Sequence, residues 1–164
     1  MAEPIFSHLD GDGRLQMVDV SSKDETRRVA RASCLVVTRC DIAALDHRAD
    51  GVNVLQSARL AGIQAAKRTA DVIPLCHPLA ISHVTVDIDL DPRGLEVRSE
   101  VITNGRTGVE MEALTACTFA ALGLVNALIA TEPDAHVEDL VVLSKQGGKS
   151  GEWGRSIGEP TRRT

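Results

Sequence analysis

The sequence predicts an α+β fold, an antiparallel sheet with helices packed on one face. Three patterns carry that expectation. Val84, Val86, Ile88 and Leu90 alternate with Thr85, Asp87 and Asp89, the period of a half-buried strand. Asp91-Pro92-Arg93-Gly94 is turn chemistry, and Leu95, Val97, Val101 and Thr103 resume period two beyond it, so the pair forms a β-hairpin. Residues 53–69 instead follow helical spacing, and 113–131 is strongly apolar and rich in alanine, the composition of a buried helix.

The elements fall in a simple order. Leu35-Val36-Val37 is a short apolar run that predicts a strand within 33–39. The helix at 53–69 carries one narrow stripe, with Ala61, Gly62, Ala65 and Ala66 small enough for another element to approach closely. After the hairpin, the apolar segment 113–131 reads as a largely buried helix ended by Pro133, and 137–143 as a last strand. Strand, helix, hairpin, helix, strand is the order of a ferredoxin-like sandwich. The mixed charges of 22–31 read as a helical turn or a solvated surface. The whole chain, 1–164, reads as one domain, with 1–15 and 153–164 as flexible arms.

Composition narrows the function. Of 164 residues, 43% are hydrophobic but only 2% aromatic, and tyrosine is absent, so the core is built from Val, Leu, Ile and Ala. A net charge of -5 argues against a nucleic-acid binder while leaving room for a local basic pocket. Cys34, Cys40, Cys76 and Cys117 form no CxxC pair and are expected as reduced thiols, with no metal site. No apolar run approaches the roughly 20 residues that span a bilayer, and no signal peptide is evident, so a cytoplasmic protein with no membrane partner is expected.

Four segments can carry chemistry. In the loop 145–151, Gly147-Gly148 free the backbone to turn amides toward an anion, and Lys145 and Lys149 add charge. It is not a Walker loop, which requires glycine where Leu143 stands. A flexible soluble turn fits it equally well. In Leu75-Cys76-His77, bracketed by Pro74 and Pro78, a histidine sits in a rigid loop, suited to acid–base work or to hydrogen-bonding a substrate; a structural histidine is the plainer reading. Glu110 and Glu112 share a face only if the chain there is extended; on a helix they are first-turn acids that suit the dipole. Arg59, with Lys67 and Arg68, is consistent with one cationic helix face or with a solvated one.

Together these segments resemble the MoaC family, the cyclic pyranopterin monophosphate synthases of molybdenum-cofactor biosynthesis. The resemblance is carried by Met17-Val18-Asp19-Val20-Ser21, by 58–69 (ARLAGIQAAKRT), by 73–79 (IPLCHPL), by 107–115 (TGVEMEALT) and by Gly147-Gly148-Lys149-Ser150-Gly151, in consistent order over residues 8–153. It implies the ferredoxin-like fold, a homohexamer built as a trimer of dimers, and a site shared between subunits. The implied substrate is a purine-nucleotide-derived triphosphate, (8S)-3′,8-cyclo-7,8-dihydroguanosine 5′-triphosphate. The implied products are cyclic pyranopterin monophosphate and diphosphate. Substrate binding then falls to Leu75, Cys76, His77, Glu110, Met111, Glu112, Arg59, Lys67 and Lys149, and catalysis to Lys145 and to the positions of Asn126 and Ile129. No resident cofactor is implied, and Mg²⁺ is neither required nor excluded.

Three positions depart from the family pattern. Asp50-Gly51-Val52-Asn53 replaces a Lys-Gly-Asp stretch, leaving Gly51 where a lysine belongs. Asn126 stands where the family has an aspartate and Ile129 where it has a lysine. Neutral Asn126 has no proton to exchange, and Ile129 can neither donate one nor clamp phosphate; Arg48 or Lys23 is a candidate stand-in for the missing cation. The alternative reading is therefore a catalytically impaired paralogue that binds the nucleotide, or partners an active synthase, without efficient turnover.

Overall fold

A computed structural model of the chain describes residues 8–41, 45, 53–149 and 151–156. Arg48, Asp50, Gly51, Val52, Ser150 and the two ends, 1–7 and 157–164, lie outside the described residues.

Five antiparallel strands form one sheet: β1 (Thr26–Val37), β2 (Ile81–Asp91), β3 (Gly94–Gly105), β4 (His136–Gln146) and β5 (Trp153–Gly154), in the order β2-β3-β1-β4-β5. Helices α1 (Val54–Ala66), α2 (Thr69–Val72) and α3 (Glu110–Leu128) complete the described elements, and α1 and α3 pack on the sheet. The β1-α1-β2-β3-α3-β4 succession is the ferredoxin-like arrangement that the sequence predicts. β5 is an addition beyond β4, formed by the first residues of the segment read from sequence as an arm.

β1 is the central strand, paired with β3 on one side and β4 on the other. It starts seven residues before the expected 33–39 strand, and 26–31 is strand rather than a helical turn. The reason is the helix above it. Ala30, Ala32, Cys34 and Val36 are buried beneath α3, so small side chains fill the inward face and weaken the apolar signal.

The stripe of small residues on α1 does allow a close approach. A methyl group on Gly62 would lie 2.6 Å from the carbonyl oxygen of Ala116 on α3, closer than atoms pack. Asn53 caps α1, its side chain accepting from the backbone N–H of Gln56 at 2.9 Å. α3 is by length and composition apolar enough to cross a membrane, which corrects the expectation that no segment approaches that length. Its buried residues, among them Ala113, Ala116, Cys117, Ala120 and Leu124, face the sheet and α1, so it is the core helix of this fold.

Candidate functional site

The first turn of α3 organises the site. The helix begins at Glu110, after Val109 at the N-cap, so the lead-in is not extended as a shared carboxylate face would require. Residues at i and i+2 on a helix point about 200° apart, and the two carboxylates accordingly face different hollows. Glu110 reaches Lys145, Oε1 to Nζ 3.4 Å. Glu112 turns inward and is only 2% exposed.

The inner hollow, about 300 Å³, is lined by Lys67, Arg68, Thr69, His77 and Glu112 among others. The loop that enters it is a tight turn in which the Cys76 N–H donates to the Ile73 carbonyl at 3.2 Å. Pro74 supplies the restricted φ that such a turn wants, and Leu75 takes φ 63°, a left-handed conformation that suits glycine. A non-glycine residue held there costs about 1–2 kcal/mol, which the prolines and packing must sustain. The turn aims Cys76 and His77. The Cys76 thiol donates to Glu112 Oε1, with Sγ 3.6 Å from the oxygen. Burial, reinforced by the Glu112 charge, pushes this thiol up to about 11. It is therefore a protonated donor at neutral pH, with a thiolate fraction of about 10⁻⁴, and is suited to binding rather than to nucleophilic attack.

Glu112 has one oxygen, Oε2, buried without a hydrogen-bond partner. Burial also raises its carboxyl above the usual range. An orphaned buried acceptor costs about 1–3 kcal/mol until a donor arrives, so the hollow is prepared for an N–H group. His77 is held from the other direction. Its Nε2 lies 2.8 Å from the Val18 carbonyl, which can only accept, so the proton is on Nε2 and, in the neutral ring, Nδ1 is left as an acceptor. The Met17–Val20 segment, one of the stretches that carry the family resemblance, is thus the strap that orients His77 through Val18.

The outer hollows are basic. Arg28, Thr107, Glu110, Lys145 and Gly147 line one of about 220 Å³. Lys23, Arg28, Gly148 and Lys149 line another of about 610 Å³. Gly147 and Gly148 take φ 95° and 74°, so the glycines are needed to turn the chain between β4 and β5. Arg28 belongs to both hollows and was missed by sequence reasoning, hidden in a segment that reads as solvated. Its Nε donates to the Gly105 carbonyl at 2.8 Å and its Nη2 to the Arg106 carbonyl at 3.1 Å. The signal that could have found it is period two: Arg28 continues the inward series Ala30, Ala32, Cys34, and a charge on that face at the end of a strand requires a purpose.

Not every expected residue joins these groups. Lys67 caps the end of α1 and reaches the inner hollow, but Arg59, half-buried on α1, lines none of these cavities. Met111 is exposed between the two glutamates. Asn126 and Ile129 are both exposed at the far end of α3. Glu112 and Asn126 are fourteen residues apart on one helix, about 21 Å at 1.5 Å per residue. One protomer does not bring Asn126 or Ile129 to the hollows that hold His77, Glu112 and Lys145. Among the described residues, no three His, Cys, Asp or Glu side chains cluster to hold a metal ion.

Comparison with known proteins matches this chain over residues 17–148 to a family model described as "MoaC family". A protein of Streptomyces avermitilis named cyclic pyranopterin monophosphate synthase is 46% identical over 158 residues, covering 94% of this chain and 92% of the relative. Proteins of the same name from Streptomyces coelicolor and Desulforapulum autotrophicum are 48% and 47% identical, over 92% and 89% of this chain and 90% and 92% of their own lengths.

Proposed function

The chain belongs to the MoaC family, and on that premise we propose that it is a lyase of molybdenum-cofactor biosynthesis acting on (8S)-3′,8-cyclo-7,8-dihydroguanosine 5′-triphosphate. The products are cyclic pyranopterin monophosphate and diphosphate. The observation that carries this reading is the divergence at the first turn of α3. Glu112, with its orphaned oxygen, faces the hollow of His77 and Lys67, while Glu110 faces the hollow of Lys145 and Arg28. A substrate that joins a guanidine-bearing ring to a polyphosphate needs both kinds of subsite.

In this reading the ring's N–H groups meet the buried Glu112 carboxyl, and Nδ1 of His77 accepts from the same ring system. The Cys76 thiol donates to Glu112 and holds it in place. Lys145, Arg28, Lys149 and Lys23 gather the phosphates and stabilise the negative charge that develops as diphosphate leaves. The reading includes no resident cofactor, and Mg²⁺ enters only as a counterion that the triphosphate can bring. The cytoplasm, where nucleotide precursors are made, is the proposed location.

The working unit in this proposal is the homohexamer, a trimer of dimers with shared sites. Two features support it. The 126–129 end of α3 is too far from Glu112 to serve the same pocket within one protomer, and Phe119, Leu122 and Ile129 leave an apolar face on α3 exposed. With Asn126 and Ile129 at the positions of a family aspartate and lysine, we place turnover below that of relatives that keep those groups, since general acid–base groups contribute factors of about 10² to 10⁴.

The test is incubation of the purified chain with the cyclic guanosine triphosphate, reading oxidised pterin by fluorescence and diphosphate by coupled assay. Slow formation of both in equal amounts is expected. A folded chain that neither binds the substrate nor forms either product overturns the proposal.

A further inference from the structure

A fourth hollow adjoins the outer site and contains the chain's single tryptophan. Glu110, Val142, Lys145 and Trp153 line a space of about 340 Å³. Trp153 is brought there by the β4–β5 pairing, in which it lies directly across from Lys145. The residue is 44% exposed, in a protein with two phenylalanines, no tyrosine and no other tryptophan. Arg155 stabilises the short strand. Its N–H donates to the Leu143 carbonyl at 2.7 Å and its Nε to the Val142 carbonyl at 3.1 Å, which sets its guanidinium carbon over the indole, 5.9 Å from the centroid. A large indole held half in water beside an ion pair gains little as packing. It does offer a planar apolar surface next to the carboxylate and ammonium that the substrate is proposed to meet.

From this arrangement we propose that Trp153 is a substrate-contacting residue, whose indole stacks on the flat face of the guanine-derived ring whose polar edge meets Glu112, while Lys145 beside the indole holds the phosphates. The proposal rests on the function stated above and adds a ring-recognition element outside the inner hollow. Arg155 is a positioning residue that fixes the indole plane through cation–π contact. The physical expectation is selectivity for a planar heterocycle over a bare polyphosphate, because stacking needs a π-face while the lysines do not.

The single tryptophan makes the test direct. Intact protein is titrated with GTP, as an accessible planar purine triphosphate, and with inorganic tripolyphosphate, which has the charge without the ring. Emission excited at the indole band is read together with calorimetry. GTP is expected to quench the emission and tripolyphosphate to bind without quenching. Trp153→Ala should weaken GTP binding by roughly 5- to 150-fold, the range for one aromatic stack, and leave tripolyphosphate affinity unchanged. Trp153→Phe should recover most of the loss, whereas Trp153→Leu, which keeps apolar bulk without a π-face, should not. GTP affinity unchanged in Trp153→Ala or fully restored in Trp153→Leu overturns the stacking role and leaves the proposed function standing. A wild-type chain that does not bind GTP also overturns the stacking role, whereas the proposed function falls only if the cyclic guanosine triphosphate is neither bound nor converted.

Discussion

Restoring titratable groups to the distal end of α3 separates chemistry from folding. The double substitution Asn126→Asp with Ile129→Lys changes two exposed positions, so no core cavity is created. A carboxylate near a helix C-terminus opposes the dipole and an ammonium favours it, each by about 0.3–1 kcal/mol. Their i, i+3 contact adds about 0.2–0.5 kcal/mol. The sum is near zero, within the ±0.5 kcal/mol or so usual for surface changes. Turnover is a different matter. One restored general acid or base is worth about 10² to 10⁴ in rate, and the pair acts as a unit rather than multiplying. A rise of at least about 100-fold is therefore expected, roughly 2.7 kcal/mol of barrier. The assay is pterin fluorescence after oxidation, with a thermal melt and a substrate titration on the same preparation. A mixing experiment adds geometry. Because position 126 is about 21 Å along α3 from Glu112, a protein carrying the double substitution plus Glu112→Ala should gain activity when reassembled with wild-type chain. In the proposed hexamer, the new carboxylate and amine then meet an intact Glu112 from the neighbouring protomer. A folded, substrate-binding double variant with no gain in rate refutes the assignment of these positions.

Two further predictions concern the scaffold and the inner hollow. Gly62→Ala forces a methyl against a backbone oxygen 2.6 Å away. Overpacking of this kind costs about 1–3 kcal/mol, more than the roughly 1 kcal/mol alanine gains over glycine in a helix. Tm should fall by a few degrees, while Gly123→Ala, whose methyl would sit 3.3 Å from the Ala58 Cα, stays near wild type; a raised Tm for Gly62→Ala contradicts the close approach of α1 and α3. Glu112 has its folded-state value raised by burial above the unfolded 4.5, so its contribution to stability is whole below that pH and is lost as pH rises through the folded value. Glu112→Gln stays neutral, so its Tm relative to wild type should be lowest near pH 4.5 and climb toward pH 8; a difference that does not change with pH would falsify the buried-acid assignment.

The sequence alone determined the elements whose side chains repeat with a clear period. The hairpin of β2 and β3 is legible because Val84, Val86 and Ile88 alternate with polar neighbours, and α1 because its small residues recur at helical spacing. The long motifs likewise carried the family resemblance. Local chemistry also marked Pro74 and Pro78 as fixing a rigid loop, and Gly147-Gly148 as a special turn. Only the tertiary structure decided which groups converge. The split between Glu110 and Glu112 depends on α3 starting at Glu110 rather than a few residues later, because each residue of helix rotates the next side chain by about 100°. Arg28 and Trp153 reach the site through strand register, β1 against β3 and β5 against β4, and register is a pairing between distant segments that no local window contains. The separation of Asn126 from Glu112 is likewise invisible as sequence spacing until it is known that one unbroken, rigid helix joins them.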